Sequence, residues 1–212
     1  MSMVMTCLLS CAAIVAQVNT DAVATVGEAV SSLDKLKARL VAGGHQQNRS
    51  ICTEEETVSP TVATASVFTC ATIAAHERRH VITMDIGAAF LSADKLPDKP
   101  VFMKLDPVTS AILTHLDREY EEYTQQNGSV IVKLDKALYG CVQSAALWYY
   151  DLRKTLESNM LICNPYDTCV FNKTEDGVQT TVLFHVDDLM ASSITDECLM
   201  NSTTYWCLNM EK

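Results

Sequence analysis

Residues 180–193 read TTVLFHVDDLMASS, and two adjacent aspartates, Asp187 and Asp188, interrupt an otherwise apolar, β-branched run. Such composition belongs to a strand that is at least half buried. Burying one unpaired carboxylate costs several kcal/mol, a large share of the stability of a small domain. The pair therefore either turns out into solvent at a chain reversal or faces something cationic. Upstream, CVFNK, then Asp176-Gly177, then VQTTVLFHV carry a hairpin signal, and a second turn at Asp187-Asp188 sends the chain back through LMASS.

Working outward, QSAALWYYDLRKTLESNM sets Ala145, Trp148, Tyr149, Leu152 and Leu156 on one stripe of an amphipathic helix. VIVKLDKALYG reads as strand then turn, PVFMKL as a strand, and 107–123 as a helix with an acidic outer side. HVITMDIGAAFL is a short continuous β-branched run, the mark of a strand buried on both faces, with Asp85 near its end. In SPTVATASVFTCATIAAHERRH, Ser59 is a candidate N-cap, Pro60 suits the first helical position, and Val67, Cys70, Ala71 and Ala74 recur at helical spacing. KLKARLVAGGH (35–45) alternates as a half-buried strand with a basic face, closed by Gly43-Gly44. A last helix is expected over 195–210, and residues 1–30 receive no function. The pattern is mixed α/β (α+β) with a mostly antiparallel sheet.

The 212 residues, 48% hydrophobic, suffice for one sizeable core. A formal net charge of −10 argues against a free-standing nucleic-acid binder, so any such contact must use a local patch. Nine cysteines with no Cys-x-x-Cys pair read as intracellular thiols rather than a disulfide frame or a zinc knuckle. The apolar opening MSMVMTCLLSCAAIVAQ lacks a basic first region and is too short to span a bilayer, which argues against secretion and against a membrane anchor.

If Asp85 and the Asp187-Asp188 turn are neighbours in one sheet, three carboxylates converge on one rim. Oxygen-only ligands select magnesium or manganese, and two such ions about 4 Å apart suit an in-line phosphoryl displacement. A competing motif is HERRH (76–80), which matches His-Glu-x-x-His, with His76 and His80 as zinc ligands and Glu77 as base of a zinc-dependent peptidase. Against it, Arg78 and Arg79 would set two cations beside the metal, and no third ligand follows at the usual interval.

The ordered blocks KARLVAGGHQQ, ETVSPTV, ITMDIGAAFL, VIVKLDKALYGCVQSAALWY, NPYDTCVF and HVDD resemble the reverse transcriptase of Ty1/copia-type LTR retrotransposons, over roughly residues 35–195. The resemblance implies the fingers and palm of a right-hand polymerase, with an antiparallel palm sheet packed on helices and a truncated thumb. It implies an N-terminal extension over 1–30, fingers and palm over 31–195, and the start of the truncated region at 196–212. The implied reaction is RNA-directed DNA polymerisation with two Mg2+ (or Mn2+) ions. Partners would be an RNA/DNA template-primer, deoxynucleoside triphosphates, and the RNase H and integrase of a polyprotein.

By the same resemblance Asp85, Asp187 and Asp188 are the catalytic, metal-binding carboxylates. Lys37 and Arg39 match basic finger positions over the triphosphate, where a solvated basic strand face is the alternative. Phe90 falls where an aromatic ring lies under the sugar and would clash with a ribose 2′-hydroxyl; ordinary core is the alternative. Tyr139, Gly140 and Gln143 belong to the block that packs against the nascent base pair and template, although a plain turn also explains Gly140. The chain departs from the family pattern at His185 (usually Tyr), Val142 (Lys), Ala145 (Pro), Ala146 (Arg), Gly43 (Lys) and Ser92-Ala93 (Asn-Gly). Each lost cation weakens the grip on template or triphosphate, so the expected activity of this fragment alone is weak or absent, and a folded, inactive retrotransposon remnant is the second reading.

Overall fold

A computed structural model describes residues 40–93 and 99–199. The expectations for residues 1–39, which include Lys37 and Arg39, and for the helix beyond residue 199 lie outside these. The first described stretch carries no strand: residues 40–43 are irregular and Gly44–Gln46 form a 3-10 turn. Part of the strand expected over 35–45 lies outside the described residues, and its described end takes no strand form.

Helix α1 (Thr64–His76) starts later than Ser59-Pro60 suggests, with Ala63 as an N-cap that offers no side-chain oxygen. A residue far along the chain supplies it instead, since Asp167 Oδ2 accepts the Ala63 N–H at 3.0 Å. Strand β1 (His80–Asp85) and the short helix α2 (Ala89–Ser92) follow. Strands β2 (Val101–Leu105) and β3 (Val130–Leu134) pair in a separate two-stranded antiparallel sheet. Between them lie α3 (Pro107–Leu116) and a 3-10 turn over Arg118–Tyr123. Proline at the first position and the Asp106 carboxylate, which accepts from the Val108 and Thr109 N–H groups, start α3 as helix chemistry requires.

Helix α4 (Ser144–Ser158) precedes β4 (Ile162–Cys163), β5 (Val170–Glu175), β6 (Val178–His185) and β7 (Asp188–Ser193). The main sheet runs β1-β7-β6-β5-β4, each neighbouring pair antiparallel. β5 and β6 join through Asp176 (φ 50°) and Gly177 (φ 78°), the two positive-φ positions that a tight hairpin turn needs. Trp148, Leu152 and Leu156 of α4 pack on Phe171, Val182, Phe184 and Ala191 of the sheet to form the core. Ala146, more than the anticipated Ala145, is the fully buried alanine at the start of that stripe.

β1 corrects one expectation. It lies at the edge of the sheet and alternates between exposed and half-buried positions, so it is not covered on both faces. Among the described residues no helix is long and apolar enough to cross a membrane.

Candidate functional site

The β6–β7 turn decides where the carboxylates stand. Its two central residues are Val186 and Asp187, one position earlier than the sequence suggests, because Asp188 already pairs as the first residue of β7. Val186 has φ 60°, a left-handed conformation that a β-branched residue adopts only when its surroundings hold it there. Two contacts do so. Trp148 Nε1–H on α4 donates to the Val186 carbonyl at 2.7 Å, and the Ile86 N–H just after β1 donates to the Asp187 carbonyl at 3.0 Å.

In the resulting register Asp85 stands directly opposite Asp188 across β1–β7, and Asp188 opposite His185 across β6–β7. Directly opposed residues of an antiparallel pair project to the same face, so Asp85, Asp188 and His185 form one exposed row across three strands. Asp187 sits beside that row in the turn, half-buried. No described side chain hydrogen-bonds to or ion-pairs with any of the three carboxylates. Their donor set is hard oxygen, which fits a magnesium-type cation. Among the described residues no three His, Cys, Asp or Glu side chains gather closely enough to hold a metal ion. What the fold brings together is an opposed carboxylate pair with a third at the adjoining turn.

A second group of anticipated residues meets nearby in the chain's packing. Ala88 (φ 56°) opens α2, and the Phe90 ring lies 4.5 Å, centroid to centroid, from that of Tyr139. Gly140 has φ +88°, and a Cβ there would collide with the Ala42 carbonyl oxygen. Conversely, a Cβ on Gly44 would strike the Gly140 carbonyl oxygen. The two backbones can approach this closely only because both residues are glycine. The Ala42 N–H donates to the Tyr139 carbonyl at 2.7 Å and the Val142 N–H to Gln47 Oε1 at 3.0 Å, completing the junction. Gln143 is 2% exposed. The segment that follows Lys37 and Arg39 in sequence therefore docks on the Tyr139-Gly140 loop.

The zinc-type motif is not formed. α1 ends at His76, Glu77 is its C-cap, Arg78 turns back with φ 54°, and His80 opens β1. The two histidines thus do not share a helical face. Glu77 is held by Arg79 at 2.7 Å and His80 faces Asp196 at 2.8 Å.

Three supporting residues lie outside the site expected from the sequence. Trp148 belongs to the apolar stripe of α4, yet its buried indole N–H needs an acceptor and so hints at a polar contact. Asp167 ties the loop before β5 to the start of α1: burial raises its pKa, but bonds from Ser66 and from the Cys169 and Ala63 N–H groups outweigh that and hold the carboxyl below the usual aspartate range. Gln47 carries no signal in the sequence beyond its place in the KARLVAGGHQQ block.

The model of a family described as "Reverse transcriptase (RNA-dependent DNA polymerase)" matches residues 16–203. Among curated proteins, the chain is similar to the "Retrovirus-related Pol polyprotein from transposon TNT 1-94" of Nicotiana tabacum, with 28% identity over 161 residues. That alignment covers 74% of this chain and 11% of the tobacco polyprotein, so the chain spans a small fraction of its relative. No solved structure matches the chain.

Proposed function

Because the chain belongs to the reverse transcriptase (RNA-dependent DNA polymerase) family, in its Ty1/copia-type branch, we propose that it is the fingers-and-palm portion of an RNA-directed DNA polymerase from a retrotransposon polyprotein. Residues 31–195 make up that portion, and the setting is intracellular. The main sheet and α4 correspond to the palm, and the segment around residues 40–47 to the base of the fingers. The observation that carries the reading is the β1–β7 register, which sets Asp85 opposite Asp188 from distant parts of the chain.

Asp85, Asp187 and Asp188 would hold the Mg2+ or Mn2+ ions. Bound there, such ions lower the pKa of a primer 3′-hydroxyl and neutralise charge on the triphosphate and the departing pyrophosphate. The remaining work falls to the protein. Trp148 and Ile86 fix the turn so that its carboxylates do not have to be ordered when substrate arrives. Phe90, braced by the Tyr139 ring, lies under the sugar of the incoming nucleotide and excludes a 2′-hydroxyl. Gly140 lets backbone approach the nascent base pair, and Gln143 contacts it. Lys37 and Arg39 grip triphosphate oxygens as a point charge and a bidentate fork.

Primer extension on an RNA template, with magnesium or manganese, tests the assignment. The 212-residue chain alone is expected to extend weakly or not at all. The chain joined to the downstream thumb and RNase H sequence should extend in a metal-dependent way, and Asp187→Asn should abolish this. Equal extension by the Asp187→Asn protein would overturn the reading.

A further inference from the structure

Helix α3 carries its apolar stripe on the outside. Val108, Ala111, Ile112, His115 and Leu116 recur at the spacing of one helical face, and all five are exposed. Val108 is 72% exposed, Ile112 41% and Leu116 60%. With Pro107 they line one open apolar hollow. The side turned inward is the more polar one: Ser110 is buried, and Thr109, Leu113 and Thr114 are half-buried. The Ser110 hydroxyl explains the choice, because it accepts the Val130 N–H at 3.0 Å and donates to the Leu105 carbonyl at 3.3 Å, tying α3 to the β2–β3 sheet. The outer side, expected to be acidic, is therefore apolar along α3, and Glu119, Glu121 and Glu122 collect in the 3-10 turn after it. A surface helix ordinarily buries such a stripe, so this one is shaped for a partner.

The stripe is complementary to itself. A two-fold axis at Ile112 sets two α3 helices antiparallel, with Ile112 against its own copy and Val108 against the Leu116 of the other chain. Ala111, small and beside the axis, lets the helices close up. The same operation brings the end that carries Asp106 against the end that carries Arg118, since the two residues are equally far from Ile112 in sequence. Both are exposed, and Arg118 has no hydrogen bond or ion pair among the described residues. Opposite charges thus meet at both ends, and the helix dipoles run head to tail.

We propose that the outer face of α3 is a self-association surface, pairing two copies of this chain through Val108, Ile112 and Leu116 about a two-fold axis at Ile112. The inference goes beyond the polymerase reading and does not depend on it. The ten residues of α3 span about 15 Å, a small patch beside the roughly 800 Å² per partner of a standard interface. The pair is accordingly weak and reversible, with an expected Kd of about 10–100 μM.

Sedimentation velocity of the full chain, at concentrations bracketing that Kd, tests the pairing. The natural chain should pass from monomer to dimer. Ile112→Glu and Leu116→Glu each put charge into the seam at an exposed position, and each should weaken the Kd by at least about tenfold with the thermal midpoint kept. Arg118→Glu, which sets acid against Asp106, should weaken it about fivefold. In Ile112→Cys a short bis-maleimide should join residue 112 of one chain to residue 112 of the other, as peptide masses would show. Tyr166→Cys, at a position 96% exposed on another loop, should give no such self-link. A chain that stays monomeric overturns the proposal. Slow maleimide labelling of Ile112→Cys would then put a segment of the same chain from outside residues 40–93 and 99–199 on the face, and fast labelling would leave the face bare. A dimer that both glutamate variants leave intact, or that yields no link between the two residues 112, pairs through another surface or register and overturns the proposal as well.

Discussion

Replacing Asp167 should destabilise the protein in a way that depends on acid. Its carboxylate accepts the Ala63 N–H and the Cys169 N–H, each at 3.0 Å, and the Ser66 side chain. It therefore caps α1 and shapes the loop before β5 at once. Each hydrogen bond to a charged acceptor contributes roughly 1.5–3 kcal/mol, and the losses are not additive at a half-buried site. Asp167→Ala should cost about 2–4 kcal/mol at pH 7, and Asp167→Asn, which retains an acceptor oxygen, about half of that. The carboxyl titrates below its ordinary value of 3.8 in the folded state. Its stabilisation is thus fully present above that value and is lost as the pH falls through the folded pKa, because the unfolded chain takes up the proton first. Urea unfolding of both proteins from pH 7 down to pH 3 measures this. The difference between them should narrow only in the acid limb. A penalty at pH 7 under about 0.5 kcal/mol, or one that ignores pH, would refute the capping argument.

Asp188→Asn should raise stability in metal-free buffer by up to about 1 kcal/mol, since like charges directly opposite one another in a sheet repel; urea midpoints decide, and a loss would contradict the register argument. Trp148→Phe removes the 2.7 Å bond to the Val186 carbonyl and should cost about 1–3 kcal/mol, with faster amide exchange at Ile86, whose N–H reaches the same turn. Gly140→Ala and Gly177→Ala both place a side chain at positive φ, but only the first meets a backbone oxygen. The first should cost clearly more than the roughly 1–2 kcal/mol of left-handed strain that both share, as thermal melts would show. Burial pushes the Cys169 thiol up to about 12, with Asp167 and Cys163 adding to the effect, so it should resist iodoacetamide at pH 8 until urea unfolds the chain; mass spectrometry reads the adduct.

Where local chemistry decides, the sequence was a sound guide. The Asp176-Gly177 hairpin follows from two residues that tolerate positive φ, and α4 follows from the spacing of Trp148, Leu152 and Leu156. Asp85 does end its strand, as the HVITMDIGAAFL run suggests. The failures come from contacts made across the chain. α1 begins where Asp167 reaches it, which no local pattern around Ser59-Pro60 could reveal. The β6–β7 turn centres on a valine, a residue that propensity would exclude from such a position, because Trp148 and Ile86 hold it. HERRH fits a helical template on paper, yet the helix stops at His76. The register joining Asp85 to Asp188 depends on which strands lie side by side, and strand order is not written in either stretch alone.

The place of β1 at the rim of the sheet bears on how the proposed polymerase activity should be abolished. No described strand pairs with its outer edge, where an unpaired backbone could template a foreign strand, and charged side chains along such an edge are a natural guard against fibrous or amorphous association. Neutralising Asp85 removes part of that guard as well as one of the proposed metal-binding carboxylates, so an insoluble Asp85 variant would masquerade as a catalytic null. Substituting the proposed metal-binding Asp188 instead, whose strand is paired on both sides, separates the two effects.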